Sequence, residues 1–281
     1  MTPAADIALL DGFERALMNG RLHMVYQPKV SCTTGELVRV EALVRWEDPK
    51  LGTVAPARFV PLAERYGLID PLTQWGLRTT LRQWLEWKRN GLDACIAFNI
   101  SALSLQHLDF PDLVERMCRA LEVPASRLVL ELTEGATQPL IKLMDTLVRF
   151  RIKGIGLAMD DFGTGYSSLL QLKQLPFTEI KIDKYFIHDL PRSRDSQAIV
   201  RAAIDLAHGL DLSVTAEGVE TAEQLAVLRS YGCDVVQGYL VAQPLEPGDL
   251  IAWNARHKRR WKLLIRTDED APEIEKPALF S

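Results

Sequence analysis

Cysteine is scarce in this chain, and histidine nearly so. The four cysteines, Cys32, Cys95, Cys118 and Cys233, stand far apart with no CxxC pair, and the five histidines are scattered with no HExxH. Those absences exclude a disulfide scaffold and the common zinc sites, leaving free, mostly buried thiols in a reducing compartment as the expectation. No apolar run reaches the ~18 residues of a membrane helix. The opening MTPAADIALLDGFERAL carries acids and no basic leader, which argues against a secretory signal and for a cytoplasmic protein. A surplus of either charge is also missing. With 33 Lys and Arg against 37 Asp and Glu, the net charge is -4, so no broad surface for a nucleic-acid polymer is expected. A local anion pocket stays open where metals or a few Arg and Lys supply the positive charge. No Gly-rich phosphate loop follows the first strand. No GxSxG elbow is present, and Ser167 and Ser168 lack a nearby His, so a serine nucleophile is the weaker choice.

What is present is 47% hydrophobic and 25% charged residues in 281, the make-up of a globular protein with a sizeable core. That length fits one large α/β barrel or two small domains. Ile7, Leu10, Phe13 and Leu17 lie at helical spacing between Ala4 and Met18. Leu22–Val30 and Glu36–Trp46 read as β-rich segments joined by the short Ser31–Gly35, hence an antiparallel hairpin. Helices are expected at Pro56–Tyr66 and Pro71–Arg89, the second with Trp75, Trp84 and Trp87 as a packing face. From there strand and helix alternate. Strands are expected at Ala94–Ile100, Arg127–Leu132, Ile155–Met159, Glu179–Ile182, Ser213–Ala216 and Val235–Val236. Helices are expected at Phe110–Leu121, Pro139–Phe150, from Tyr166-Ser167-Ser168 onward, Ser196–Gly209 and Thr221–Tyr231. Such repeats argue for a parallel sheet, and about eight of them for a TIM-like barrel whose one irregularity is the opening hairpin. An open doubly wound sheet is the alternative. The division expected is 1–255 as one domain and 256–281 as a tail, where His257-Lys258-Arg259-Arg260 reads as a solvated helix end.

The chain is organised around Leu157–Leu169, LAMDDFGTGYSSL. An apolar strand runs into two adjacent carboxylates, Asp160 and Asp161, and then a glycine loop. Neighbouring carboxylates repel, so burying them together calls for cations or donors. Nearly every other expected strand delivers a polar residue near the same end: Glu41 and Arg45, Asn99, Glu131 and Glu134, Lys181 and Asp183, Glu217 and Glu220, and Gln237. Alone, Arg45 reads as a surface ion pair, Lys181 as a solvated strand end and Gln27 as a loop hydrogen-bonder. Together they converge on the face where barrel active sites sit. Oxygen donors at Glu41, Asn99, Glu131, Asp160 and Asp161 suit hard cations such as Mg²⁺ or Mn²⁺. Two adjacent aspartates can hold a pair of ions ~3.5–4 Å apart.

These residues resemble the EAL-domain phosphodiesterases of bacterial cyclic di-GMP signalling, over about residues 11–250. The matching stretches are YQP at Tyr26–Pro28, EALVRW at Glu41–Trp46, FNIS at Phe98–Ser101 and ELTE at Glu131–Glu134. DDFGTGYSSL at Asp160–Leu169, KID at Lys181–Asp183, AEGVE at Ala216–Glu220 and QGYL at Gln237–Leu240 complete the series. Departures are Gly135 after ELTE and the form of GTVAPARF at Gly52–Phe59; neither touches an expected ligand. The resemblance implies a TIM-like (β/α)8 barrel with an antiparallel first strand, and metal-dependent hydrolysis of cyclic di-GMP to linear pGpG. It implies Glu41, Asn99, Glu131 and Asp160 as ligands of one cation and Asp160 with Asp161 as holders of a second. Glu217 would be general base or water ligand, and Lys181 would orient the attacking water. Arg45 would meet a substrate phosphate, with Gln27, Leu43, Gln237 and Asp183 among the substrate contacts. Glu134 would anchor the Phe162–Ser168 loop, and Glu220 would support the site from behind. A homodimer is implied as well. No cyclase-like or sensor segment is apparent, so regulatory input is expected from elsewhere or from an unidentified partner. The competing reading is a silent cyclic di-GMP receptor or docking module, but degenerate members lose ligands or the loop motif, and both are intact here. A sugar-phosphate enzyme on the same barrel has no motif behind it.

Overall fold

A computed structural model describes residues 3–133, 140–163 and 168–266. Among them, α1 (Pro3–Met18) leads into β1 (Leu22–Ser31) and β2 (Leu37–Asp48), which pair antiparallel with Gln27 opposite Glu41. The short β3 (Gly52–Val54) extends the outer end of β2. Then α2 (Pro56–Arg65) and α3 (Ile69–Arg89) precede β4 (Cys95–Asn99), α4 (Phe110–Ala120) and β5 (Leu128–Thr133). Next come α5 (Leu140–Ile152), β6 (Gly156–Phe162), α6 (Ser168–Gln174), β7 (Glu179–Ile182), α7 (Lys184–His188) and α8 (Arg194–Gly209). β8 (Ser213–Ala216), α9 (Ala222–Ser230), β9 (Val235–Val236) and α10 (Leu250–Arg266) close the described chain.

β2, β4, β5, β6, β7, β8 and β9 are parallel in that order, and β1 lies antiparallel between β9 and β2, closing the barrel. The expected TIM-like barrel with an inverted first strand is the architecture found. Its core is aliphatic, running from Val30 and Val40 through Ile96, Leu130, Leu157 and Ile180 to Val214 and Val236. A satellite core lies under α1 and α2. There Phe13 stacks on Phe59 at 5.2 Å between ring centres, and Trp46 meets both edge-on. Trp84 and Trp87 are buried as expected, while Trp75 is only half-buried. The cysteines are free, with Cys32, Cys118 and Cys233 buried.

Three local features differ from the sequence expectation. β3 and α7 were not foreseen; three- and five-residue elements carry too little periodicity to be read. β6 continues past Met159 to Phe162 instead of releasing the acids into a loop. The basic run does not end a solvated helix. α10 runs unbroken through residues 255 and 256 to Arg266, with His257 and Trp261 buried and Lys258, Arg259 and Arg260 exposed. Trp253 stacks on His257 at 4.5 Å, and Trp261 seats on Gly35 in the β1–β2 turn, where a Cβ would fall 2.0 Å from the indole. Gly35 also has φ +67, so both space and backbone ask for glycine there.

Candidate active site

The expected polar residues meet at the C-terminal ends of the parallel strands. Lys181 on β7, 1% exposed, lies at the centre. Its ammonium donates to Glu131 Oε2 at 2.8 Å and forms ion pairs with Asp160 Oδ1 at 2.8 Å and Glu217 Oε1 at 2.7 Å. Glu41 on β2 accepts from Asn99 Nδ2 at 2.7 Å and Gln237 Nε2 at 2.6 Å. Gln237 also donates to Gln27 Oε1 at 3.0 Å, and Gln27 in turn to Ala242 O at 3.1 Å.

The two aspartates owe their placement to a β-bulge. Along β6–β7, Met159 pairs with Ile180 and Phe162 with Ile182, so Asp160 and Asp161 together oppose the single Lys181. Regular alternation would send neighbouring side chains to opposite faces; an extra residue re-aims one of them. Asp161 takes φ +55, an uncommon left-handed conformation that aspartate tolerates better than most residues. Carboxylate oxygens of Asp160, Asp161 and Glu217 thereby come within 4.8 Å of one another.

Glu217 is set by a second close approach. Val219 N–H donates to Gln237 O at 3.0 Å, and a Cβ on Gly238 would lie 2.1 Å from Val219 O. Glycine there lets the strand-end loops of β8 and β9 touch, bringing Glu217 and Gln237 to the same cavity.

The charge is uneven. Burial alone would raise Glu41, but Lys181 and Lys29, with bonds from Gln237 and Asn99, hold it at about 2. Burial pushes the Glu217 carboxyl up to about 7 against the pull of Lys181, aided by the charges of Asp160 and Glu41. Burial and the neighbouring charges of Asp160 and Asp183 push Asp161 up to about 6. Lys181 stands well above its ordinary value: burial opposes its charge, but the surrounding carboxylates outweigh it.

Two cavities open on this cluster. One of 320 Å³ is lined by Gln27, Glu41, Asp160, Lys181, Glu217 and Gln237. The other, of 570 Å³, is more apolar and includes Arg45, Trp75, Phe98, Asn99, Ser101 and Glu131. Leu43 lines both. Arg45 is half-buried, its guanidinium bonded to Val44 O at 2.9 Å.

Other expected residues lie around the edge of the cluster, Asp183 close enough to Asp161 to raise its carboxyl. Asp183 caps α7, accepting from Tyr185 N–H at 2.8 Å, and lines a separate cavity of 780 Å³. Glu220 is exposed at the rim shared by that cavity and the smaller one above. Glu134 lies outside the described residues. One residue was not foreseen: Lys29 on β1, wholly buried, pairs with Glu131 Oε1 and lies 3.8 Å from Glu41 Oε2. Period-two alternation from Gln27 could have found it.

Four carboxylates, Glu41, Glu131, Asp160 and Glu217, thus pair with two buried ammonium groups, Asp161 lies beside them, and the atoms available to ligate a cation are oxygens. That set fits hard divalent cations rather than zinc or copper. The EAL domain family matches residues 11–244. The chain belongs to that family. This EAL domain is 41% identical over 235 residues to a cyclic di-GMP phosphodiesterase of Pseudomonas aeruginosa, spanning 83% of this chain and 40% of that protein. It is 41% identical over 249 residues to the bifunctional diguanylate cyclase/cyclic di-GMP phosphodiesterase MucR of the same organism, spanning 88% of this chain and 36% of that one. Among solved structures, the c-di-GMP complex of the PaMucR phosphodiesterase superposes with TM-score 0.82 at 40% identity, covering 86% of this chain and 99% of that one. This EAL domain therefore spans less than half the length of the curated relatives it matches. No helix among the described residues is long and apolar enough to cross a membrane.

Proposed function

We propose that this EAL domain hydrolyses cyclic di-GMP to linear pGpG, using two Mg²⁺ or Mn²⁺ ions held by Glu41, Asn99, Glu131, Asp160 and Asp161. The observation that carries the reading is the bulge that turns Asp160 and Asp161 together toward Lys181, with Glu217 within 4.8 Å. When bound, such ions supply Lewis-acid charge to a phosphoryl oxygen and acidify a water. The chain's own side chains do the rest. Lys181 spaces Glu131, Asp160 and Glu217 and adds fixed positive charge beside the reacting phosphate. Glu217 takes the proton of the water that attacks phosphorus, a task for which its carboxylate lies beside Lys181 and within reach of both aspartates. The bond from phosphorus to the ribose 3′-oxygen breaks, that oxygen takes a proton from water to become a hydroxyl, and the ring opens to pGpG. Arg45 at the cavity wall offers a fork of donors to the second phosphate. The two cavities flanking the acids, with Leu43 in the lining of each, suit a ligand with two bases on a central phosphodiester ring. Gln27 and Gln237 hold their amides at the smaller one, with Glu220 at its rim and Asp183 supporting Asp161 from the adjoining cavity.

The same reading includes a cytoplasmic setting, regulatory input from a partner and a homodimer. Met144, Val148 and Ile152 on α5 with Leu169 and Leu170 on α6 are exposed apolar surface for such a dimer. The test is incubation of purified protein with cyclic di-GMP and Mg²⁺, with and without EDTA, followed by chromatography. EDTA-sensitive pGpG is expected, abolished by Glu41→Ala or Asp160→Ala. Retained turnover in either variant would sink the assignment, and binding without cleavage would make the domain a receptor.

A further inference from the structure

Lys29 has no exposed surface, yet its ammonium sits inside the barrel between two carboxylates. An unpaired ammonium there would be prohibitively costly, so its partners define its role. Glu131, itself 1% exposed, is gripped at both oxygens: Oε1 by Lys29 from β1 and Oε2 by Lys181 from β7. The β1–β2 register pairs Gln27 with Glu41 and Lys29 with Arg39, so Lys29 enters one step deeper than the substrate-facing glutamine. Lys29 lines neither cavity beside the acids. It cannot touch a ligand lying in them and can act only through the carboxylates it holds.

We infer that Lys29 is a positioning residue for the metal site, fixing the Glu131 carboxylate so that it can serve as a ligand. This rests on the metal-dependent reading above. Without Lys29, Glu131 keeps a single ammonium partner, Lys181, and is free to turn both oxygens toward it. Two effects then oppose each other. Loss of a nearby positive charge would by itself tighten a divalent cation, whereas loss of a fixed ligand loosens it. Groups that orient metal ligands are typically worth about 10- to 100-fold in metal affinity, so loosening is expected to win.

The experiment is titration of EDTA-stripped, dialysed protein with Mn²⁺ alone, read by electron paramagnetic resonance of the free ion, beside urea midpoints on the same samples. Lys29→Met should weaken Mn²⁺ binding on the order of tenfold. Placed on Glu131→Gln, the same change should add no more than about twofold, since its main route is then cut and only the longer approach to Glu41 at 3.8 Å remains. Lys29→Gln, which keeps an N–H for Glu131, should fall between wild type and Lys29→Met. It also carries the test alone if Lys29→Met fails to fold. Unchanged affinity with a lowered urea midpoint would make Lys29 a packing residue and overturn the inference. Tighter binding would make it background charge and overturn it as well, as would a full additive loss in Glu131→Gln. Wild-type protein that binds no Mn²⁺ would instead remove the metal reading itself and this inference with it.

Discussion

Glu217 offers a quantitative test of the site's electrostatics. Its carboxyl stands near 7 against an ordinary 4.5, so ionising it in folded, metal-stripped protein costs about 3 kcal/mol. Because the folded value lies above the unfolded one, this stability is fully present below about 4.5 and lost as pH rises through 7. Asp161, raised to about 6, pulls in the same direction. His257 pulls the other way: burial and the nearby Arg260 hold it down at about 4. Its contribution is present above 6.5 and lost as pH falls through 4. A raw stability profile therefore mixes opposed slopes, and the comparison with Glu217→Gln cancels the shared ones. Urea midpoints of EDTA-treated wild type and Glu217→Gln, taken from about pH 5 to about pH 8, give the difference. The attraction of the ionised carboxylate to Lys181 is already contained in the value of about 7, so glutamine, which resembles the protonated acid, leaves only an offset that does not change with pH. The variant should gain on wild type with rising pH, approaching about 3 kcal/mol. Mn²⁺ should narrow that gap, since a bound cation favours the ionised carboxylate. A gap that stays constant with pH, or moves in favour of wild type, would refute the reasoning.

Two further outcomes follow from packing. Gly238→Ala would drive a methyl to 2.1 Å from a backbone carbonyl; we expect a loss of about 3 kcal/mol or more by thermal melting, with pGpG formation falling as Glu217 and Gln237 separate. Trp261→Ala, at the opposite end of the barrel on Gly35, should cost about 3–5 kcal/mol of stability while leaving turnover per folded molecule unchanged; a matching fall in kcat would argue against that separation.

The barrel was legible because its strands are short apolar runs ending in polar residues, and closure by an inverted β1 followed from the brevity of Ser31–Gly35. The convergence of Glu41, Asn99, Glu131, Asp160, Lys181 and Glu217 was legible for the same reason. The bulge was not. Asp160 and Asp161 look like a turn in one dimension, and only pairing against β7 makes them two residues facing one. Lys29 was missed because lysine is normally a surface residue, and the carboxylates that hold it come from strands remote in sequence. In α10 the charges of Lys258, Arg259 and Arg260 masked a stripe of Trp253, His257 and Trp261 at i, i+4 and i+8, which is a packing face.

Closure of the barrel by β1 has a consequence for how the protein is made. The bond between Gln27 and Gln237 joins residues 210 apart, and that between Glu41 and Gln237 joins residues 196 apart. During synthesis the β1–β2 hairpin leaves the ribosome early and must wait for β9, with the far edge of β1 unpaired. An open strand edge of this kind is a template for wrong partners. A nascent chain stopped before Val235 would hold every proposed metal ligand and still have no closed barrel around them, so competence arrives only with the last strand.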